Sequence, residues 1–306
     1  MKLRVVHRTS YTYGEAVTSS HHEARLTPRD SESQRTVSHE IEITPAPEAR
    51  RKRFDYFGNR ALHFSLSEPH RSLDIVARSV VDITPLQPPL LSASPSWESV
   101  RDLLARDRRR DSLDAYSMVF DSPLIPSLES VQKYAAPCFP PGRPLLSAVR
   151  ELVSRIHSEF TYDGRATEIS TALVDVLRLR SGVCQDFAHL AVACLRSHGL
   201  PARYVSGYLL THPAPGTPKL VGADASHAWF ATFVPEYGWG DFDPTNNVIA
   251  GSEHVTAAYG RDFSDVTPIR GVILGGGQHQ LAVAVDVDLV KDGEAEEPEG
   301  RVSGVS

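Results

Sequence analysis

Apolar and polar positions alternate through most of the first 83 residues, a pattern that predicts strands. Residues 3–13 are rich in β-branched and aromatic side chains, and residues 37–44 alternate at period two. Residues 60–66 and 73–83 are similar, and Phe54-Asp-Tyr-Phe-Gly-Asn59 supplies a turn before the first of these two runs. Short strands separated by turn residues predict a β-sandwich-like N-terminal domain over residues 1–85.

A Pro/Ser-rich boundary follows, and residues 97–138 read as short helices, so 86–144 is expected to be a linker with short helices. After Pro144 the period becomes helical: Leu145, Val149, Leu152, Val153, Ile156 and Phe160 recur at three and four residues. A second helix is predicted from Cys184 to His198. Phe187, Ala188, Ala191, Val192 and Leu195 make it apolar on most sides, hence buried. Strands are predicted over 202–210, 227–234 and 238–243, the last two joined by a hairpin turn at Pro235-Glu-Tyr-Gly238. Residues 280–290 alternate and are expected to close a sheet. The second unit is therefore placed at 145–290, in an α+β protein, with an acidic, disordered tail at 291–306.

Composition narrows the classes. The 306 residues are 41% hydrophobic and 23% charged, ordinary for a globular chain of two units. A net charge of −6 gives no field favouring nucleic acid, and the basic runs at residues 50–53 and 106–110 read as solvated loops or helix faces. No apolar run is long enough for a membrane span, and the first residues lack the apolar core of a signal peptide. Three cysteines without a Cys-x-x-Cys pair make no disulfide framework, and Cys138, in a proline-rich stretch, reads as structural. These features predict a cytoplasmic, reducing location. The 13 histidines include the pair His21-His22 and the close Asp224-Ala-Ser-His227, yet none sits in a metal-binding motif, so no metal or other cofactor is expected. Gly275-Gly-Gly277 precedes a strand and reads as a turn.

The candidate chemistry lies in Gly182-Val-Cys184-Gln185-Asp186-Phe187. It places a thiol at the start of a buried helix, where partial positive charge eases thiolate formation and free N–H groups can hold an oxyanion. Ser226-His227-Ala-Trp229 and Asp241-Phe-Asp243-Pro-Thr-Asn246 follow on the predicted hairpin. With an odd-numbered loop His227 and Asp243 would face each other across the strands, supplying a base and the group that orients it. Asp241 has the same parity and rivals Asp243. His189, five residues past the cysteine, points elsewhere and reads as a buried structural histidine.

These three motifs, in this order and spacing, resemble those of the transglutaminase-like superfamily over roughly residues 145–247, and the β-rich start is similar to the N-terminal region of its bacterial members. The resemblance implies a papain-like core with Cys184 as nucleophile, His227 as base and Asp243 as orienter. It implies an enzyme that breaks or exchanges amide bonds of a peptide or protein through an acyl-cysteine intermediate. Hydrolysis by a cysteine peptidase or amidase is favoured. Protein-glutamine cross-linking and a non-catalytic binding or scaffold role are the alternatives. The backbone N–H of Cys184 is the first oxyanion candidate and the Tyr162 hydroxyl the second, with a packing role for Tyr162 left open. Gln185, Asp186, Asp241 and Trp229 are candidates for supporting the site.

Overall fold

The computed structural model describes residues 1–84, 90–168, 170–212 and 226–290. The expected acidic tail, and part of the Pro/Ser-rich boundary, lie outside them. Five strands come first: β1 (Lys2–Ala24), β2 (Gln34–Thr44), β3 (Ala49–Phe54), β4 (Arg60–Leu66) and β5 (His70–Ile83). The 23-residue β1 is the spine of one curled sheet. Its first half is paired with β5, its second half with β4, and the register shifts between Thr12 and Val17. Curling brings Ile41 and Ile43 of β2, Leu62, Phe64 and Leu66 of β4, and Leu73 and Ile75 of β5 into one core. The sandwich-like core is thus made by one sheet folding over itself. The basic run at residues 50–53 is neither loop nor helix face: it lies in β3, wholly exposed at the sheet edge, where charge discourages pairing with another chain.

Short helices α1 (Trp97–Leu104), α2 (Arg110–Tyr116) and α3 (Glu129–Ala135) lead into α4 (Leu145–Glu159). Then come β6 (Thr161–Tyr162), α5 (Leu173–Leu179), β7 (Ser181–Gly182) and α6 (Cys184–Arg196). The second sheet is built from β8 (Ala202–Leu209), β9 (Ser226–Val234), β10 (Gly238–Asp243), β11 (Val248–Ile249) and β12 (His254–Gly260). Its order is β11-β10-β9-β8-β12, all antiparallel. The apolar faces of α4 and α6 meet this sheet in a core that includes Val149, Leu152, Ile156, Phe187, Leu190, Leu195, Phe230 and Phe242.

The chain finishes with α7 (Phe263–Val266), β13 (Ile269–Gly275) and β14 (His279–Leu289). Both last strands pair with β1. Residues 280–290 therefore close the N-terminal sheet rather than the 145–290 unit in which they were expected. The alternation was visible, but long-range pairing selects the partner, and the free side of β1 offers a matching register of eleven residues. The Gly275–Gly277 turn joins β13 and β14 at positive φ.

Two carboxamides join the units. As an edge strand, β12 has outer backbone groups that need partners. Gln34 Oε1 accepts from the Thr256 N–H at 2.8 Å, and its Nε2 donates to the Thr256 carbonyl at 2.9 Å. Asn59 does the same at Tyr259, at 3.0 and 2.9 Å. Both side chains are buried and take the place of a neighbouring strand.

Candidate active site

Cys184 is the first residue of α6. The turn before it is fixed by Asp186, whose carboxylate accepts from the Val183 N–H at 2.8 Å and from the Thr167 hydroxyl at 2.6 Å. Burial raises the Asp186 pKa, and those two bonds oppose the rise. A Cβ on Gly182 would sit 2.6 Å from Asp186 Oδ2, so only glycine fits there. Short β6 pairs in parallel with β7, setting Tyr162 beside Gly182. Tyr162 as a residue is 58% exposed, and its pKa is raised by burial and by nearby Cys184. Its ring edge also meets Phe187. Tyr162 thus stands near Cys184, with its ring against Phe187. A surface cavity of about 540 Å³ opens alongside, lined by Gly164, Thr167, Glu168, Ser170, Val183 and Gln185. Cys184 is half-buried, whereas Cys138 and Cys194 are fully buried and burial raises the pKa of both thiols.

His227 Nε2 bonds Asp243 Oδ2 at 2.8 Å, and Cys184 lies close enough to the His227 side chain to help raise its pKa. With Nε2 committed to the carboxylate, Nδ1 is the ring nitrogen left for the thiol. The two side chains do not lie directly opposite, as the hairpin rule suggested. Phe242 pairs with Phe230, which sets Asp243 level with Trp229, so His227 reaches the carboxylate diagonally on the shared face. Gly207 pairs with His227 on β8, and a Cβ there would lie 2.0 Å from the Val255 carbonyl oxygen and 2.6 Å from the Trp229 ring.

Asp243 is fully buried and receives five hydrogen bonds. Oδ1 accepts from the Thr245 and Asn246 N–H groups at 2.9 and 3.1 Å. Oδ2 accepts from His227, from Asn246 Nδ2 at 2.7 Å and from His254 Nε2 at 3.2 Å. Burial alone would raise the Asp243 pKa. The donors and the charge on His227 outweigh it and hold the carboxyl well below the usual range. Burial alone would likewise lower the His227 pKa; the bonds and charges of Asp243 and Cys184 instead raise it to about 9. The group at the centre is a stably ionised carboxylate facing a readily protonated imidazole.

Asp241, the rival, lies on the same face but is engaged elsewhere. It accepts from Trp229 Nε1 at 3.0 Å, and its pKa is raised by burial against the opposing charge of Arg203. Trp229 lies 6.0 Å, centroid to centroid, from the His227 ring, so Trp229 and Asp241 form a layer beside His227 and Asp243. His189 is buried and accepts from the Phe263 N–H at 3.1 Å, and burial lowers its pKa to about 4. His254 was not read from the sequence. The strand-like Val255-Thr-Ala-Ala-Tyr259 after the Asp243 turn was the available signal.

Among the described residues, His227, Asp243 and His254 have potential metal-ligating atoms within 4.8 Å of one another. The same atoms are engaged in hydrogen bonds. His254 Nδ1 accepts from the Gly251 N–H at 3.4 Å, which leaves its proton on Nε2 facing the carboxylate. The group reads as a proton-carrying array. Asp224, part of the sequence cluster, lies outside the described residues.

Two family descriptions match the chain: the bacterial transglutaminase-like N-terminal region over residues 3–82, and the transglutaminase-like superfamily over residues 132–244. An uncharacterized protein of Mycobacterium tuberculosis is 42% identical over 301 residues, which is 94% of this chain and 92% of that protein. The chain belongs to the transglutaminase-like superfamily. An uncharacterized protein of Mycobacterium leprae is 34% identical over 289 residues, 94% of this chain and 98% of that one. The protein-glutamine gamma-glutamyltransferase of Pseudomonas aeruginosa is 36% identical over 96 residues, 30% of this chain and 14% of that enzyme. The solved structure of a "Putative Cysteine Protease from Cytophaga hutchinsonii" superposes with a TM-score of 0.74 at 23% identity, over 95% of this chain and 92% of that one. That likeness extends over both units, the N-terminal curled sheet and the papain-like transglutaminase core. No helix among the described residues is long and apolar enough to cross a membrane.

Proposed function

We propose that this protein is a thiol-dependent enzyme that cleaves amide or peptide bonds through an acyl-Cys184 intermediate. The observation that carries the reading is His227 bonded to buried Asp243 and near enough to Cys184, at the start of α6, for the thiol to act on the imidazole. Cys184 Sγ attacks the substrate carbonyl as a thiolate, with the proton held on His227. The developing oxyanion is held by the Cys184 backbone N–H at the helix start, with the Tyr162 hydroxyl as second donor. His227 then gives its proton to the departing amine as the C–N bond breaks. Water, deprotonated by His227, releases the acid and restores the thiol. The cavity beside Cys184 receives the acyl portion of a peptide or protein substrate. A reducing, cytoplasmic location keeps the three cysteines as thiols in this reading.

The stretch shared with the Pseudomonas gamma-glutamyltransferase supports a second reading, in which an amine replaces water at the acyl-enzyme. Intact-mass analysis tests the first step. An amide substrate or electrophile adds one acyl or alkyl unit to the wild type and none to Cys184→Ala; turnover unchanged in Cys184→Ala overturns the mechanism. Products formed with and without a primary amine then separate hydrolysis from transamidation.

A further inference from the structure

The chemistry above uses one of the two histidines on Asp243 and leaves the other without a task. His254 is buried at the start of β12. Its Nδ1 is taken by the Gly251 N–H, so the Nε2 proton points at Asp243 Oδ2. Its ring packs in a T-shaped contact with Trp229, centroids 5.1 Å apart. Its strand is held from outside by Gln34 and Asn59 of the N-terminal sheet. Asp243 has no exposed surface, so water has no access to replace a missing donor. Turning the carboxylate away from His227 would therefore break the bond to His254 at the same time.

We propose that His254 is a positioning residue for this site: by donating to Asp243 Oδ2 it holds that oxygen in line with His227, and the N-terminal domain fixes it there through β12. The proposal rests on the reading of Cys184, His227 and Asp243 as the reacting triad. The titratable and charged groups around the pair are Cys184 and His227 on one side, and Asp241 with Arg203 on the other. Each is left intact by substitution at position 254.

The test compares His254→Gln, which keeps an N–H donor, with His254→Met, which matches its length and lacks one. The full chain is labelled with ¹⁵N-histidine in a Cys184→Ala background, and the proton between His227 Nε2 and Asp243 is followed by NMR. The Met variant is expected to move that resonance upfield, and the Gln variant to retain it. With Cys184 present, alkylation by iodoacetamide followed by intact mass is expected to slow about tenfold in the Met variant. In the Gln variant it is expected to stay within about threefold of wild type. Unchanged resonance and rate in a folded Met variant overturn the proposal, as does a Gln variant as slow as the Met variant. If the Met variant does not fold, His254→Ala takes its place and is read in the same way. The resonance concerns His227 and Asp243 alone. It therefore stands or falls separately from the enzymatic reading, which fails if Cys184→Ala retains turnover.

Discussion

The N-terminal sheet and the second sheet both enclose histidines, with opposite results. In the N-terminal sheet His7 bonds Thr9 Oγ1, His22 stacks on Phe64, and His39 lies between Thr27 and Ser79. No carboxylate is among these partners, and burial lowers all three pKa values to about 4. His227 in the second sheet is largely enclosed as well, yet its pKa rises to about 9, because Asp243 and Cys184 outweigh burial. Burial therefore does not mark a reactive histidine. What marks it is a carboxylate that five donors keep ionised, so that its charge acts on the imidazole through a single short bond.

Removing that charge is the severest way to break the contrast. Asp243→Asn should make His227 resemble the N-terminal histidines and slow Cys184 acylation by roughly 10³- to 10⁴-fold, read by single-turnover kinetics. Full activity in that variant would mean the carboxylate is dispensable. Gly207→Ala pushes a Cβ into the Val255 carbonyl and the Trp229 ring, behind His227. It should cost about 3 kcal/mol or more in urea unfolding.

The third prediction concerns pH. The folded pKa of His227 lies above its ordinary value of 6.5, so its bond to Asp243 contributes fully to stability below that value. The contribution is lost as pH rises through about 9. Melting temperatures between these limits should fall in the wild type and stay flatter in Asp243→Asn; parallel curves would count against the pair. The smallest effect belongs to His22→Phe. His22 Nε2 is buried without a partner and the ring is stacked on Phe64, so a phenyl ring should change stability by no more than about 1 kcal/mol. It should also leave the pH profile of alkylation unchanged, in contrast to any change at Asp243.

Much of this was legible in the residues because it is local. The α6 start was readable from Gly182-Val-Cys184, since a close glycine, a capping Asp186 and an apolar run all act within one turn. The β9–β10 hairpin was readable from its turn, and turn length fixes which residues share a face. Its exact register was not, so His227 and Asp243 meet diagonally. The choice between Asp243 and Asp241 could not come from parity. Trp229 Nε1 takes Asp241, while the turn N–H groups of Thr245 and Asn246 claim Asp243.

By itself the sequence determined most element types, with the basic run of β3 an exception, the places of Cys184 and His227 in them, and the family, because helix period, turn chemistry and motif spacing are properties of neighbouring residues. Tertiary structure alone decided the rest: that β13 and β14 return to β1, that Gln34 and Asn59 close the edge of β12, and that His254 reaches Asp243. Each of these joins residues far apart in the chain. Backbone pairing and the need to satisfy buried polar groups select among many partners of equal local merit, and that selection is made only when the whole fold is assembled.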